Sequence, residues 1–413
     1  MEYGCIGRTL RHSYSRQIHG AIGDYPYELC ELAPEDLPSF FARRDFRGIN
    51  VTVPYKEAVL PFLDIVDPHA AAIGAVNTIL CRDGNLTGYN TDFDGMIAML
   101  DRGGIPLTGR KVAILGTGGT SRTAAAVCAH LGAATVIRVS RTGKGDAGTY
   151  EDFYRRHADT EILLQTTPVG MFPDLAGCPV DLSRLPVLRG VADVIYNPRR
   201  TILLQQAAER GIPAVGGLTM LAAQGIRAAE LFFGRKYPPE LLDRVIKTVG
   251  AVTENIILIG MPGAGKTTVG QICAQRLHRP FFDTDEEIRR ATGRTPASII
   301  REDGVAVFRE TEKNILFSLL CRTTGAVIAT GGGTVLSEEN INRLCQNGRI
   351  FFLDRAVDRL APAGDHPLSE NKKQLESLAL CRLPVYRRAA DVILPADGMA
   401  EDVARAIVAE YVI

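Results

Sequence analysis

A glycine-rich stretch constrains the fold of this chain more than any other feature of its sequence. Residues 260–268 run Gly-Met-Pro-Gly-Ala-Gly-Lys-Thr-Thr and fit the spacing G-x-x-x-x-G-K-[ST]. The apolar residues 255–259 before it predict a β-strand, and the spacing of Val269–Leu277 after it predicts a helix. A strand, a glycine turn and a helix N-terminus together cradle phosphate with backbone N–H groups. The stretch therefore predicts an α/β domain that binds a nucleotide, and a glycine turn without a nucleotide is the alternative.

Length and charge limit the classes of protein to consider. The chain has 413 residues, which predicts two or three domains. Lys and Arg together number 47, as do Asp and Glu, so no net basic field would attract nucleic acid or an anionic membrane. No apolar run is long enough to cross a bilayer, and the first residues lack the basic and apolar regions of a signal peptide. We therefore expect small-molecule substrates, with neither nucleic acid nor membrane as a partner.

The cysteines indicate a compartment. There are nine, with no C-x-x-C pair and no histidine at zinc-site spacing. Buried free thiols in a reducing cytoplasm explain them best.

A seam between two halves is expected near Lys247–Glu254. The amphipathic stretch Pro239–Val249 is expected to form a helix that ends at Gly250, followed by a few residues of linker. The half after the seam alternates short apolar runs with helical patterns, which is typical of a parallel sheet wrapped by helices. Its predicted strands include Ile256–Ile259, Ala326–Ala329 and Arg349–Leu353.

A second glycine turn lies in the first half. Lys111–Leu115 predicts a strand, residues 116–120 form the turn Gly-Thr-Gly-Gly-Thr, and Ser121–Leu131 predicts a helix. A further strand is expected at Thr135–Val139, so the segment is a βαβ unit like the dinucleotide site of a Rossmann domain. The glycines alone are weak evidence, because the turn departs from G-x-G-x-x-G.

The residues after the second strand of this unit indicate which dinucleotide binds. NAD-specific sites carry an acidic residue there for the ribose 2′-hydroxyl, whereas this chain has Ser140 and Arg141, with Lys144 close by. Cationic groups suit a 2′-phosphate. NADP is therefore favoured over NAD, and a solvated basic loop is the alternative.

Five ordered motifs within the first 250 or so residues resemble those of shikimate dehydrogenase. Residues 12–19 (His-Ser-Tyr-Ser-Arg-Gln-Ile-His) resemble H-S-x-S-P-x-I-H, and residues 48–56 (Gly-Ile-Asn-Val-Thr-Val-Pro-Tyr-Lys) match G-x-N-V-T-V-P-x-K. Residues 74–78, 88–92 and 217–224 resemble three further motifs. The resemblance implies reduction of 3-dehydroshikimate to shikimate with NADPH, and a preference for quinate is the alternative.

The resemblance also implies roles for matching residues. Lys56 and Asp92 match the catalytic pair, in which a lysine beside a carboxylate supplies a proton to the carbonyl oxygen. In isolation they would be a surface lysine and the N-cap of a helix over Phe93–Leu100. The residues implied in shikimate binding are Ser13, Ser15, Thr52, Lys56, Asn77, Asp92, Tyr196 and Gln224. Those implied in NADP binding are Gly116, Thr117, Gly118, Gly119, Thr120, Ser140, Arg141, Thr142, Val194 and Gly217.

This half departs from the family pattern at positions outside the catalytic pair. Arg16 replaces a proline, Gly20 replaces an asparagine, and Gln165 stands where the family has asparagine. Thr117 and Thr120 stand where alanines are commoner. These changes could shift affinity without removing the proton donor.

Residues from about 254 to 413 resemble shikimate kinase. Besides the phosphate loop, this half has Asp283-Thr-Asp285 after a strand-like run, Phe-Arg-Glu at 308–310, a triple glycine at 331–333 and Arg-Leu-Pro-Val-Tyr at 382–386. The resemblance implies phosphorylation of the shikimate 3-hydroxyl by ATP with Mg²⁺. The residues implied are Gly263, Ala264, Gly265, Lys266, Thr267, Thr268 and His366 for ATP, Asp285, Arg309, Gly331, Gly332, Gly333 and Arg382 for shikimate, and Thr267 and Asp283 for the metal.

Two features of this half leave alternatives open. Arg309 and Arg382 would clamp the shikimate carboxylate by bidentate hydrogen bonds, but in isolation they would be surface salt-bridge partners. In the mobile lid, His366 stands where the family has an arginine that reaches the transferring phosphate. Such an arginine can be worth several orders of magnitude in rate. Three alternatives are open. A protonated His366 partly takes the role of the missing arginine, or Arg355 or Arg359 takes that role. In the third alternative, the second half is a module that binds ligand and barely catalyses.

Together these features predict an α/β protein with three domains. An N-terminal α/β substrate domain would span 1–92, completed by helices at about 219–249, and a Rossmann NADP domain would span 93–218. A P-loop domain with a parallel sheet, like that of nucleoside monophosphate kinases, would span 254–413. The product of the first activity would be the substrate of the second, as expected of a bifunctional enzyme of chorismate and aromatic amino-acid biosynthesis.

Overall fold

The computed structural model describes residues 1–10, 13–143, 145–360 and 372–411, which form two compact units. The first is Met1–Gly250 and the second is Ala251–Ile413. The boundary lies within 247–254, where the sequence predicts a seam. Within the described ranges, no helix is long and apolar enough to cross a membrane.

The first unit contains eleven strands and ten α-helices within the described residues. The strands are β1 (Tyr3–Gly7), β2 (Glu28–Glu31), β3 (Gly48–Val51), β4 (Ile65–Val66), β5 (Thr78–Arg82), β6 (Asn85–Tyr89), β7 (Lys111–Leu115), β8 (Thr135–Val139), β9 (Ile162–Gln165), β10 (Gly190–Asp193) and β11 (Ala214–Gly216). The helices are α1 (Ser15–Ile22), α2 (Leu37–Arg43), α3 (Tyr55–Ala58), α4 (Pro68–Ile73), α5 (Thr91–Arg102), α6 (Gly119–His130), α7 (Tyr150–Arg156), α8 (Ile202–Glu209), α9 (Leu218–Phe233) and α10 (Glu240–Thr253).

These strands form two sheets. The first is mixed, with the order β2-β1-β3-β5-β6-β4, and the second is parallel, with the order β11-β10-β9-β7-β8. In the parallel sheet the strand order reverses beside β7, and ligands bind at the carboxyl ends of the strands at such a switch point. The predicted strands Lys111–Leu115 and Thr135–Val139 are confirmed with these bounds. The following helix α6 begins at Gly119, two residues earlier than predicted.

The prediction that a helix ends at Gly250 is wrong. The helix α10 continues to Thr253, and a strand begins at Asn255, so only one residue separates them. Glycine within a helix costs about 1 kcal/mol relative to alanine, whereas burying one valine contributes about 1.5–3 kcal/mol. Val245 and Val249 are both fully buried in the core of the first unit. Packing of this apolar face therefore outweighs the local preference of glycine.

The second unit has one parallel sheet covered by helices. Its strands are β12 (Asn255–Ile259), β13 (Phe281–Asp283), β14 (Val327–Ala329), β15 (Gly348–Asp354) and β16 (Val392–Pro395). Its helices are α11 (Lys266–Leu277), α12 (Thr284–Thr292), α13 (Pro296–Asp303), α14 (Val305–Leu320), α15 (Glu338–Asn347), α16 (Lys372–Ala389) and α17 (Ala400–Ala409). The strand order is β13-β14-β12-β15-β16, and every pairing is parallel.

This topology brings three predicted motifs to one edge of the sheet. In the central strand β12, Ile256–Ile259 are fully buried, as expected of a strand covered on both faces. The glycine loop follows β12, Asp283 ends β13, and the triple glycine follows β14. Since carboxyl ends of parallel strands meet at one edge, the three segments converge there.

All nine cysteines are free, as expected, but they are not all buried. Cys5, Cys128 and Cys273 are buried, five others are half-buried, and Cys381 is exposed. Cys381 precedes Arg382 on α16, and adjacent positions of a helix point in directions about 100° apart. Because the Arg382 side chain faces inward, the thiol at 381 lies outside.

Candidate active sites

The first unit contains a cavity of about 360 Å³ lined by residues of the mixed sheet and by Val194 and Gly217, which directly follow β10 and β11 of the parallel sheet. All eight substrate residues predicted for this half line it, namely Ser13, Ser15, Thr52, Lys56, Asn77, Asp92, Tyr196 and Gln224. Three predicted cofactor residues, Thr120, Val194 and Gly217, line it as well. The cavity therefore brings the predicted substrate and cofactor groups together in one place.

Lys56 and Asp92 form an ion pair in this cavity. Lys56 Nζ donates to Asp92 Oδ2 at 2.6 Å, from the short helix α3 to the first turn of α5. The interpretation of Asp92 as an N-cap is wrong, because α5 begins at Thr91 and Asn90 occupies the cap position. A carboxylate in the first turn of a helix is stabilised by the positive end of the helix dipole. The pair is thus a charged donor and a fixed carboxylate that face a small cavity.

Hydroxyl groups lie around this ion pair. Ser13 Oγ donates to Ser15 Oγ at 3.0 Å. The Tyr196 ring packs edge-on against Tyr14, with ring centroids 5.9 Å apart. Burial raises the pKa of the Tyr196 phenol, so this group stays neutral and can donate or accept a hydrogen bond.

Sequence reasoning missed several residues of this cavity. They include Cys5, Thr9, Tyr14, Asn50, Val51, Met220 and Leu221. Burial raises the pKa of the Cys5 thiol to about 11, so it is a neutral group and a poor nucleophile at neutral pH. Asn50 and Val51 stand inside the motif at 48–56, and their position beside Thr52 was a signal that could have identified them.

The predicted dinucleotide turn, residues 116–120, lies between β7 and α6. Gly116 has φ +113°, and a Cβ there would lie 2.9 Å from Thr166 Oγ1, so the turn requires glycine. A Cβ on Gly118 would meet no atom within 4 Å, so the backbone is open on that side. Open backbone N–H groups at a helix N-terminus fit a phosphate.

The predicted partners of the 2′-phosphate follow β8. Arg141 and Thr142 are exposed, and Ser140 Oγ accepts a hydrogen bond from the Gly143 N–H at 3.0 Å. Lys144 lies outside the described residues. An exposed arginine after the second strand of a βαβ unit fits a phosphate on the ribose.

The second unit contains a cavity of about 290 Å³ at the edge where its three motifs converge. The predicted residues that line it are Gly263, Gly265, Lys266, Thr267, Thr268, Asp283, Asp285, Arg309, Gly331, Gly332, Gly333 and Arg382. Ala264 is buried beside them and is not part of the lining. His366 lies outside the described residues.

The phosphate loop surrounds a half-buried lysine. Gly263 and Gly265 have φ values of +79° and +90°, and α11 begins at Lys266, three residues earlier than predicted. Lys266 Nζ donates to the carbonyl oxygens of Gly260 and Met261, both at 3.0 Å. Burial lowers the pKa of Lys266 to about 8. A half-buried ammonium within a loop of open N–H groups fits the phosphates of a nucleotide.

A hydroxyl and a carboxylate lie side by side at the start of α11. Thr267 Oγ1 donates to Asp283 Oδ2 at 2.7 Å. Within the described residues, no group of three or more His, Cys, Asp or Glu side chains is arranged to hold a metal ion. Magnesium commonly takes only one or two protein oxygens and completes its shell with phosphate oxygens and water. The pair therefore fits a Mg²⁺ that arrives with a nucleotide.

The two predicted arginines lie in this cavity and are held by different partners. Arg309 Nη1 donates to Glu312 Oε2 at 2.5 Å, and Arg382 Nη1 donates to the Gly332 carbonyl oxygen at 3.0 Å. Arg382 is only 5% exposed, so the alternative of a surface salt bridge is wrong for this residue. Sequence reasoning missed Glu312, a buried carboxylate that also accepts from Thr334 Oγ1 at 2.7 Å, and no sequence signal could have identified it.

Comparisons with known proteins agree with this division of sites. The family model "Shikimate dehydrogenase substrate binding domain" matches residues 5–79, and the family model "Shikimate kinase" matches residues 262–412. Shikimate dehydrogenase (NADP(+)) of Moorella thermoacetica is 34% identical over 63% of this chain and 96% of that protein. This chain belongs to the shikimate dehydrogenase family. It also carries a shikimate kinase domain and is a bifunctional shikimate-pathway enzyme.

Solved structures support the dehydrogenase fold. Shikimate dehydrogenase 1 from Peptoclostridium difficile is 35% identical, with a TM-score of 0.53, over 60% of this chain and 97% of that one. The Thermus thermophilus enzyme, solved in complex with NADP(H) and shikimate, is 32% identical, with a TM-score of 0.54, over 60% of this chain and 98% of that one. The predicted fold class, two α/β halves of which the second is a P-loop domain, is confirmed.

Proposed function

We propose that Lys56 is the proton donor when the first unit reduces 3-dehydroshikimate to shikimate. Reduction of a ketone places a hydride on carbon and a proton on oxygen, and NADPH supplies the hydride when bound. The observation that carries the proposal is the Lys56–Asp92 pair, whose charged atoms lie 2.6 Å apart in a cavity otherwise lined by neutral groups. The ammonium gives its proton to the developing alkoxide, and Asp92 holds the side chain in place.

Neutral polar groups suit the rest of this substrate. Ser13, Ser15 and Thr52 offer hydroxyls that can donate to a carboxylate and accept from an alcohol. Asn77 and Gln224 add neutral amide groups. A small cyclic acid with several hydroxyls can pair with such groups without bringing a second charge into the protein.

For the second unit we propose a division between phosphate groups and carboxylate groups. Lys266 and the N–H groups of residues 263–268 hold the nucleotide phosphates, and Thr267 and Asp283 hold Mg²⁺. Arg309 and Arg382 bind the shikimate carboxylate beside the cavity wall formed by 331–333. Asp285 then lies among the lining residues where it can accept from the 3-hydroxyl that attacks the γ-phosphate.

We also propose the three-domain division 1–92 with 219–249, 93–218 and 254–413. The two sheets of the first unit and the single sheet of the second support it. We propose that the enzyme acts in the cytoplasm, which is supported by nine cysteines that form no disulfide, because thiols stay reduced there.

One reaction mixture tests both activities. The purified full chain is given 3-dehydroshikimate, NADPH and MgATP, and loss of NADPH absorbance and release of ADP are followed separately. We expect NADPH oxidation at once, and ADP release only after shikimate has formed. Omission of NADPH should abolish both signals, and shikimate added directly should restore ADP release. NADPH oxidation without any ADP release, even with added shikimate, would contradict the kinase assignment and leave a binding module.

A further inference from the structure

A chain of hydrogen-bonded polar side chains, all buried except the half-buried Tyr25, runs beside the substrate cavity of the first unit. It starts at Tyr25 and His19, passes through Asn50 of β3, and reaches Thr78 of β5 and Asn77 just before it. Neither His19 nor Tyr25 is among the residues that line the cavity, whereas Asn50 and Asn77 are. The direction of each hydrogen bond along this chain can be worked out from groups that can only donate or only accept.

The first fixed point is the Asn50 amide. Its Nδ2 lies 3.4 Å from the carbonyl oxygen of Asn77 and 3.1 Å from Thr78 Oγ1. A carbonyl oxygen can only accept, so the amide nitrogen must face it. The Asn50 Oδ1 therefore faces His19 Nε2 at 3.1 Å and Tyr27 Oη at 2.7 Å, and both of these atoms must donate.

The tautomer of His19 follows from this. Its imidazole is buried, stacked on Tyr27 with ring centroids 3.9 Å apart, and burial lowers its pKa to about 3, so it is neutral. A neutral imidazole has one N–H, and Asn50 takes it from Nε2. Nδ1 is then an acceptor, and it lies 2.5 Å from Tyr25 Oη. Burial raises the pKa of the Tyr25 phenol, so this hydroxyl keeps its proton and donates it to His19.

The other end of the chain is fixed in the same way. The backbone N–H of Thr91 can only donate, and it lies 2.7 Å from Asn77 Oδ1. Thr78 Oγ1 accepts from Asn50 and lies 3.2 Å from the same Oδ1. The Asn77 oxygen is thus directed into the protein, and among the described residues no acceptor bonds to Asn77 Nδ2. The amide nitrogen is left to face the cavity.

We propose that His19 and Tyr25 are positioning residues that, together with the Thr91 N–H, hold Asn77 as a hydrogen-bond donor toward the substrate. Tyr25 sets the tautomer of His19, His19 and Tyr27 both donate to the Asn50 oxygen, and the Asn50 amide held in this way supports the Thr78–Asn77 pair. The substrate atom at Asn77 must then be an acceptor, such as a carboxylate, carbonyl or hydroxyl oxygen. An analogue that places only an N–H donor against Asn77 should not bind, because the two donors would repel each other.

The first test is the protonation of His19 itself, which requires no enzymatic assay. The ring nitrogens of the ¹⁵N-labelled full chain are observed by NMR, with His19→Gln used to assign the signals. We expect a protonated Nε2 and an unprotonated Nδ1, without change between about pH 5 and about pH 9. An Nδ1–H tautomer, or an imidazolium in this range, would overturn the proposal.

The second test is kinetic and rests on the proposed reduction of 3-dehydroshikimate. Tyr25→Phe keeps the ring but removes the donor to Nδ1, so the other tautomer becomes accessible and the Asn50 oxygen then loses one of its two donors. We expect KM for 3-dehydroshikimate to rise about fivefold, the factor for one ordinary hydrogen bond, with kcat little changed because ground-state binding is lost. Tyr3→Phe, whose ring lies 5.8 Å from that of Tyr25 in the same cluster, is the matched control and should leave KM unchanged.

A double variant distinguishes action through His19 from a loss of packing. Glutamine at 19 offers an N–H donor to Asn50 and has no tautomers, so in the His19→Gln background the Tyr25→Phe change should no longer affect KM. An equal effect in both backgrounds, or an equal rise of KM in Tyr3→Phe, would contradict the proposal. If the wild type does not reduce 3-dehydroshikimate at all, the proposed function fails, while the NMR measurement still decides the tautomer.

Discussion

The cavity of the first unit is lined by neutral hydroxyl and amide groups around the ion pair Lys56–Asp92, whereas the cavity of the second combines several cations and carboxylates. The cations that line the second cavity are Lys266, Arg309 and Arg382, and the carboxylates that line it are Asp283, Asp285 and Glu312. Addition of a hydride to a ketone develops one negative charge, which one ammonium can neutralise. Phosphoryl transfer distributes several charges over nucleotide, metal and substrate carboxylate, and these need several partners. Loss of one charge should therefore affect the two sites to different degrees.

The largest effect is expected for Lys56→Ala. Because no second cation lies among the described residues that line the first cavity, carbonyl reduction should lose the whole contribution of general acid catalysis, about 10²- to 10⁴-fold in kcat. Phosphorylation of added shikimate should be unchanged. Both rates are measured on the same preparation.

Lys111→Ala is a suitable control for this comparison. Lys111 also pairs with a carboxylate, Asp159 at 2.5 Å, but outside the cavity, so its loss should spare reduction. Equal loss of both activities in Lys56→Ala would show instead that the two sites are not independent.

A smaller effect is expected for Arg382→Lys in the second cavity. Lysine keeps the charge but cannot donate both to a carboxylate in a bidentate manner and to the Gly332 carbonyl oxygen. We expect KM for shikimate to rise about ten- to a hundredfold, as for a charge-assisted hydrogen bond, while Arg309 retains part of the binding. Arg388→Lys, an exposed change on the same helix, should have no effect. A rise of KM for ATP alone would place Arg382 on the nucleotide.

The sequence predicted the fold and most of the site because these depend on local patterns. Residues 111–115 and 255–259 are strands with the predicted bounds, since short apolar runs between glycine turns have few other ways to bury themselves. The motifs of the second half converge because the carboxyl ends of its parallel strands lie at one edge of the sheet. The helix end at Gly250 was predicted wrongly, since the burial of Val245 and Val249 is a tertiary effect.

Residues that position the side chains of the site through tertiary contacts could not be predicted from the sequence. Glu312 holds Arg309 from one turn away, but nothing in a glutamate on a helix distinguishes it from a solvated one. The contact between Arg382 and Gly332 joins residues 50 positions apart. His19 of α1 falls in a recognised motif, yet its partner Asn50 lies on β3, and only the structure shows that the two share a hydrogen bond.

The preference of the first unit for NADPH over NADH can also be tested by changing one charge. Arg141→Asp exchanges a cation for the carboxylate that NAD-specific sites use, so the ratio of kcat/KM for NADPH over NADH should fall roughly tenfold or more. Arg141→Lys keeps a cation and should retain most of the preference for NADPH. If the wild type uses NADH as well as NADPH, the interpretation of residues 140–142 is wrong.

A more modest effect is expected in the lid of the kinase. His366 lies outside the described residues, and the resemblance to shikimate kinase implies that it takes the place of the lid arginine. On that basis His366→Arg supplies a permanent charge with five donors, and we expect kinase turnover to rise several-fold. If the imidazolium replaces the usual arginine, wild-type turnover should also rise slightly as the pH falls toward the pKa of a histidine. A wild-type rate that the substitution leaves unchanged would indicate that another residue fills this role. No phosphorylation by either form would favour a module that only binds.

The smallest effect is a fraction of a proton taken up when nucleotide binds to the second cavity. In the empty site the pKa of Lys266 is lowered to about 8 from 10.5, so its charge costs folding free energy below about pH 8, and this cost disappears as the pH rises toward 10.5. Phosphate favours the charged form, so above about pH 8 binding should be accompanied by proton uptake, and affinity should fall as the pH rises. Titration calorimetry of MgADP binding in two buffers of different ionisation enthalpy measures the uptake. Lys266→Arg should bind without it, because a guanidinium is always charged. Uptake that persists in this variant would place the proton elsewhere, whereas no uptake in the wild type would show that Lys266 is already charged in the empty site.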